Sequence, residues 1–483
     1  MKIVHLASEL APIAKVGGLA DAVYGLCKSL IAKKQEIEVI LPKYDILNLD
    51  PIDNLQIIQK NFPSIFKGQK TLNTIWKGCV DKIPVLFIES NDPAGLFNRS
   101  TVYGCKDDPL RFLYFCCTAL DFLMKRGAPP DLVHLHDWHT ASAAFLLKRE
   151  SIPTVFTIHN LAYQGHCSLE TFEKVGWKTE EINEFKDTEY PDTYSLLKAG
   201  ILFADHITTV SPSYAKEIFK TNPLQEILKT HQKKLTGILN GIDFTYWNPK
   251  TDSLLPFHFH LQQLTQNPPF LKGKEKVKNY LRKRFNLRES QSTVVSSITR
   301  LVPQKGPKLI QAALSHTLKK GGQFILLGST FDEEMRTVFT HLKQKLAHNR
   351  NVHMELTYNE ELAHLVYAGS DLFVAPSLFE PCGLTPLIAM RYGTVPLVRQ
   401  TGGMKDTVFE GKNGFSFITP TPAAIHKALN RALACWASHP KRWRALMKKG
   451  MEEDFSWSKS ADAYLKIYRN LYRELLSVSK RIT

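Results

Sequence analysis

Long apolar runs are missing from this chain of 483 residues. Nothing approaches the ~20 consecutive apolar residues that a membrane-spanning helix needs, so no transmembrane segment is expected. A leader with a short apolar core and a small-residue cleavage site is missing as well, and the N-terminus runs straight into a strand-like segment. The location this implies is the cytoplasm. Cysteine pairs at metal or redox spacing are also lacking. The eight cysteines are scattered, with one adjacent pair, Cys116-Cys117, and no C-x-x-C, which argues against zinc ribbons and dithiol chemistry and for reduced thiols. Acidic residues are short against basic ones, leaving a net charge of +16. Most of that excess is dispersed, and no nucleic-acid motif accompanies it. Its densest cluster, Lys441-Arg442-Trp443-Arg444 with Lys448 and Lys449, reads as the solvated face of an amphipathic helix. Nucleic acid and membrane are therefore not expected partners; small anions are.

What is present is the rhythm of an α/β protein. The length exceeds what one core accommodates, so two domains are expected. Strand-like runs at residues 3–7, 80–88, 132–136, 154–158 and 207–210 alternate with helical stretches at 19–31, 111–125 and 141–148. A second set, with strands at 294–299, 324–327, 372–375 and 395–398 and helices at 305–319 and 384–392, follows a proline-crowded stretch. This predicts two doubly wound parallel-sheet domains. The expected boundaries are 1–247 for the first domain, 248–274 for the connection and 275–457 for the second. A terminal helix over 458–483 is expected to pack back toward the first.

Three segments carry chemistry. Lys15-Val16-Gly17-Gly18-Leu19-Ala20-Asp21 follows the first strand. Glycines there permit close approach of a ligand, the next helix offers amides and a positive dipole end, and Lys15 adds a charge suited to phosphate. Arg300-Leu301-Val302-Pro303-Gln304-Lys305-Gly306 follows another strand. One guanidinium, one ammonium and a helix N-terminus can converge there on a diphosphate. In Glu380-Pro381-Cys382-Gly383-Leu384-Thr385, a carboxylate precedes a small-residue turn and a helix start, the mixture of acceptor and donors that sugar hydroxyls require. Thr401-Gly402-Gly403 adds a further glycine turn. His134, His136 and His139 have a metal-like look, but no further ligand cluster accompanies them. Asp137 and His139, at a strand's carboxyl end, are better read as substrate-cleft residues, and no metal is expected.

In their order, these segments resemble the bacterial and plant-type glycogen and starch synthases, glycosyltransferase family 5, over nearly the whole chain. The resemblance also rests on His136-Asp137-Trp138-His139, Thr157-Ile158-His159-Asn160-Leu161-Ala162-Tyr163-Gln164-Gly165, Ile238-Leu239-Asn240-Gly241-Ile242-Asp243 and Asp454-Phe455-Ser456-Trp457. It implies a GT-B fold, two Rossmann-like domains facing across a deep cleft, and transfer of glucose from ADP-glucose to the non-reducing end of an α-1,4-glucan such as glycogen, with retention. It further implies donor-phosphate contacts by Lys15, Gly18, Arg300 and Lys305, and a sugar-binding carboxylate in Glu380 with Cys382 and Gly383 lining the pocket. His159 would lie near the transferred glucose, Tyr358 against the adenine, and Asn240 near the sugar or leaving group. Gly17, Asp21, Asp137, His139, Asn160, Leu384 and Thr385 complete the implied donor site. No cofactor or metal is expected, because such enzymes neutralise the leaving diphosphate with cations and helix termini. Domain closure on the donor is the corollary.

Departures from the family pattern are few. Leu378 stands where arginine is usual, Gly328-Ser329-Thr330 lacks a second glycine, and Ile388 stands where wider glycosyltransferases carry a second glutamate. A pyridoxal-phosphate glucan phosphorylase and a non-enzymatic glucan-binding protein are the competing readings. Colour from bound pyridoxal phosphate separates the first, and the retained cations count against the second.

Overall fold

The computed structural model describes residues 1–127, 129–220, 222–261, 269–330, 332–357 and 359–482. They form two compact units, Met1–Gly241 with Trp457–Thr483, and Ile242–Ser456.

The first unit is built on a sheet of nine strands among the described residues. Their spatial order is Leu235–Gly237, His206–Thr209, Thr154–Ile158, Leu132–His136, Lys2–Leu6, Glu36–Pro42, Ile83–Ser90, Gln69–Val80 and Asp53–Phe66. Pairing is parallel as far as Ile83–Ser90, and Gln69–Val80 and Asp53–Phe66 then pair antiparallel to form the edge. The central strands are continuous buried runs, as expected where helices cover both faces; Leu132–His136 and Thr154–Ile158 are buried throughout. From Lys2–Leu6 the chain goes first to Glu36–Pro42 on one side and later to Leu132–His136 on the other. The switch point therefore lies beyond the carboxyl ends of Lys2–Leu6 and Leu132–His136, the usual ligand position in such sheets.

The antiparallel edge is a difference from the expected strand at 80–88. Val80 ends one strand, Asp81 and Lys82 turn with φ of 45° and 69°, and Ile83 begins the next. Positive φ at both central residues suits the twist of a tight hairpin. The outer strand Asp53–Phe66 is mostly exposed, and its apolar residues are irregularly interrupted by Gln, Asn and Lys, so it carries no regular apolar alternation to detect.

In the second unit six parallel strands are described, in the order Val352–Glu355, Gln323–Ser329, Val294–Arg300, Leu372–Ala375, Val395–Arg399 and Phe415–Phe417. Numbered along the chain this is 3-2-1-4-5-6, the Rossmann order. Its switch point falls between Val294–Arg300 and Leu372–Ala375.

The second unit begins at Ile242, ahead of the expected connection. Within 248–274, Leu255 and Phe259 are buried in this unit's core and Pro269–Arg284 is helical. Prolines and a His/Phe alternation conceal the two apolar anchors from a periodicity reading. The terminal helix Trp457–Ile482 belongs to the first unit, where it packs on the helix Gly18–Ala32. Any Cβ at Gly25 would collide with the Trp457 indole, so the two helices touch through a bare backbone position. Lys33 and Asp462 add an ion pair at 2.7 Å, and the Tyr468 hydroxyl meets His134 Nδ1 at 2.7 Å.

Candidate active site

The switch point of the second unit gathers its charged candidates. Arg300 ends the first strand of that sheet, half-buried, and its guanidinium has no ion-pair partner among the described residues. A 3-10 turn, Pro303–Lys305, then aims Lys305 at Glu380; Nζ and Oε2 are 2.5 Å apart. Glu380 is 7% exposed, and Oε2 also accepts from Ser377 Oγ at 2.9 Å. Gly383, in the left-handed region at φ 89°, caps the helix Leu384–Arg391, whose first turn holds the half-buried Leu384 and Thr385. The leading amides of a helix have no partner within it. Cys382 is buried beside them. Gly402, at φ 45°, lies so close to the Glu380 carbonyl that any Cβ would collide with it. The glycine turn at 401–403 is therefore the floor of the Glu380 loop.

Sequence reasoning missed the groups that hold this loop. Arg399 Nε donates to the Ser377 carbonyl at 2.8 Å, and its Nη2 donates to the Leu378 carbonyl. Leu378 N donates to the Gln304 carbonyl at 2.7 Å, and Gln304 Nε2 donates to the Phe379 carbonyl at 3.3 Å. Arg399 closes a strand in the same way as Arg300, so its position was a visible signal; its partners were not.

In the first unit Lys15 forms an ion pair with Asp21 at 3.0 Å. The loop is shaped by Glu9, a buried carboxylate that no motif marked. It accepts from the amides of Val16 at 2.7 Å and Gly17 at 2.9 Å, and from the Tyr103 hydroxyl at 2.8 Å. Burial raises the Glu9 carboxyl, and those hydrogen bonds oppose the shift. The Gly17 amide is thus committed to Glu9, and Gly18 opens the helix.

Asp137 is buried and adopts φ 57°, uncommon for a residue with a Cβ and a mark of over-determined backbone. Its Oδ1 accepts from the amides of His159 at 2.7 Å and Asn160 at 3.2 Å. Burial raises this carboxyl to about 7 against those two bonds. Asp137 therefore sets the His159–Asn160 loop. Asn160 is half-buried, and its Oδ1 accepts from Ala162 N at 3.1 Å. Asn240 is buried with Oδ1 unsatisfied, an open acceptor near the end of this unit. Tyr358 lies outside the described residues.

The histidines sort differently from the sequence pattern. His139 leaves the others and stacks on Trp138, centroids 4.1 Å apart, with Phe112 edge-on at 4.6 Å; burial lowers it to about 3. His5 takes its place, so that nitrogens of His5, His134 and His136 lie within 4.8 Å of one another. Both nitrogens of His134 are already engaged, by the Tyr468 hydroxyl and by Thr157 Oγ1 at 2.6 Å. His5 Nδ1 meets His136 Nε2 at 3.0 Å, and His136 Nδ1 meets His159 Nε2 at 3.0 Å. Hydrogen bonding thus accounts for a cluster whose geometry alone could suit a cation.

Comparison with known proteins bears on both units. Residues 2–232 match the family model described as starch synthase catalytic domain, and residues 280–449 match glycosyl transferases group 1. A glycogen synthase of Protochlamydia amoebophila is 44% identical, covering 97% of this chain and 99% of the relative. The solved catalytic domain of starch synthase IV from Arabidopsis thaliana, bound to ADP and acarbose, superposes with a TM-score of 0.93 at 40% identity, covering 98% and 99% of the two chains. A sucrose-phosphate synthase structure from Thermosynechococcus elongatus, at 18% identity and TM-score 0.63, shares the fold over 98% of this chain and 99% of its own.

Proposed function

Because the chain belongs to the family of bacterial glycogen synthases and plant starch synthases, with the GT-B fold, we propose that it transfers glucose from ADP-glucose to the non-reducing end of an α-1,4-glucan, with retention of anomeric configuration. The observation that carries this reading within the site is Glu380, held nearly buried against Lys305 at the switch point of a Rossmann sheet. A sugar pocket needs that carboxylate, and a leaving diphosphate needs that cation.

Arg300 and Lys305 bind the distal phosphate; the guanidinium of Arg300, without an ion-pair partner among the described residues, supports this. Lys15 and the Gly18 amide serve the diphosphate as well, and Asp21 restrains the Lys15 ammonium. Glu380 orients the glucose and supports the positive charge that develops at its anomeric carbon. Cys382, Gly383, Leu384 and Thr385 form the wall beside it. His159 lies against the transferred glucose, Asn240 offers its open acceptor to the sugar or leaving group, and Tyr358 receives the adenine. Asp137, Asn160 and His139 shape the surroundings of His159.

In the chemical step the bond from the anomeric carbon to the diphosphate oxygen breaks. The acceptor 4-hydroxyl bonds to that carbon on the same face, and its proton passes to the departing phosphate. Cations and helix termini carry the leaving-group charge, so no metal or other cofactor is required.

The test supplies glycogen with ADP-glucose, and with UDP-glucose in parallel, in excess chelator, and reads the new linkages by NMR. New α-1,4 linkages from ADP-glucose support the reading. β linkages would contradict retention, and no transfer by folded protein would return the phosphorylase and binding-protein readings.

A further inference from the structure

Three imidazoles of the first unit stand in a row: His5 Nδ1 to His136 Nε2, then His136 Nδ1 to His159 Nε2, each at 3.0 Å. His5 and His136 are fully enclosed. The far nitrogen of the row, His5 Nε2, is buried and has no partner. At the near end His159 is half-buried, and its Nδ1 has no hydrogen-bond partner among the described residues.

Burial holds all three rings neutral: His5 and His159 are lowered to about 3 and His136 well below the ordinary range. Each ring therefore carries one N–H, and the row has only two self-consistent arrangements. In one, every N–H points outward from the core and His5 Nε2 is a bare lone pair. In the other, every N–H points inward and His5 Nε2 carries a proton with no acceptor. Orphaned buried donors are the rarer and costlier case, so the outward arrangement is selected.

We propose that His136, backed by His5, is a positioning residue that fixes His159 in its Nδ1–H form, so that His159 offers the ligand a hydrogen-bond donor and not an acceptor. The purpose of this rests on the reading that transferred glucose lies against His159; the tautomer does not. His159 then selects a ligand oxygen acting as acceptor, set from inside the core by a ring that never touches the substrate. Asp137 fixes the backbone of His159, and His136 fixes its proton.

Two substitutions separate this role from packing. His136→Asn keeps an amide N–H near the position of Nδ1, able to donate to His159, whereas His136→Gln places its amide near Nε2, toward His5. Imidazole nitrogen NMR of the full chain with 15N-histidine, the His159 signal identified by its loss in His159→Asn, reads the tautomer directly. We expect Nδ1–H at His159 in the unliganded protein and in His136→Asn, and Nε2–H in His136→Gln. For glucose transfer, His136→Asn should stay within about threefold of the parent kcat, and His136→Gln should lose about 10- to 100-fold with KM for ADP-glucose little changed. Nε2–H at His159 in the parent protein would overturn the proposal, as would equal losses in both variants with the tautomer unmoved. If the expected tautomers accompany an absence of any glucose transfer, the positioning role stands and the functional reading falls.

Discussion

Glu380 and Lys305 neutralise each other across 2.5 Å, so a phosphate that engages Lys305 must share it with the carboxylate. Sharing suits a reaction in which negative charge builds on the phosphate while positive charge builds beside Glu380. Lys305→Met should lower kcat by about 10²–10³, the usual cost of one preorganised charge. It should cost about 1–2 kcal/mol in stability, less than a wholly buried pair because the Lys305 side chain keeps 21% exposure. Steady-state kinetics and urea unfolding check the two halves. Asp137 makes a prediction about pH. Its folded pKa of about 7 lies above the ordinary aspartate range, so the folded state holds its proton more tightly than the unfolded chain does. The linked stability is fully present below the ordinary range and is lost as pH rises through about 7. Asp137→Asn keeps an oxygen for the His159 and Asn160 amides without the charge. Thermal unfolding from pH 4 to 8 should therefore show the parent losing ground to the variant as pH rises; parallel curves would refute the assignment.

At the scale of elements, the site depends on contacts between backbone segments. Gly25 lets the terminal helix lie against Gly18–Ala32, the helix that the Lys15 loop opens. Gly25→Val should drive the Trp457 ring away and cost about 1–3 kcal/mol as overpacking, read as a lowered unfolding midpoint; an unchanged midpoint would show that the contact is dispensable. Arg399 closes the Glu380 loop through two carbonyls. Arg399→Ala should reduce kcat by about tenfold or more through a loosened carboxylate while the fold persists, and kinetics beside circular dichroism separate these. Legibility in the sequence divides along the same line. The loops after strands were visible because Lys15, Arg300, Lys305 and Glu380 follow apolar runs. Glu9 and the partners of Arg399 and Gln304 were not, because these side chains bind main-chain atoms that only the fold brings near. His5 looked like a strand residue among apolar neighbours, and its place beside His136 depends on the parallel pairing of Lys2–Leu6 with Leu132–His136. The edge hairpin was hidden because its outer strand buries apolar side chains only at one end, Phe62 and Phe66.

For the molecule as a whole, each unit carries a switch point, between Lys2–Leu6 and Leu132–His136 in the first sheet and between Val294–Arg300 and Leu372–Ala375 in the second, and Lys15, Asp137, Lys305 and Glu380 follow those strands in the chain. The sequence pattern conveyed the doubly wound class, whereas the start of the second unit at Ile242 depended on where Leu255 and Phe259 find a core. No helix among the described residues is long and apolar enough to cross a membrane. If cations and helix termini carry all the leaving-group charge, excess chelator should change turnover by less than about twofold; a larger loss restored by a divalent cation would contradict that. In the proposed reaction Glu380 and its loop serve glucosyl transfer from ADP-glucose to glucan. Its most direct test is incorporation of labelled glucose from ADP-glucose into glycogen by the parent protein and by Glu380→Gln, side by side. Sustained incorporation by the parent with a loss of about 10²-fold or more in the folded variant is the expected result, whereas no incorporation by the parent, or undiminished incorporation by the variant, would contradict it.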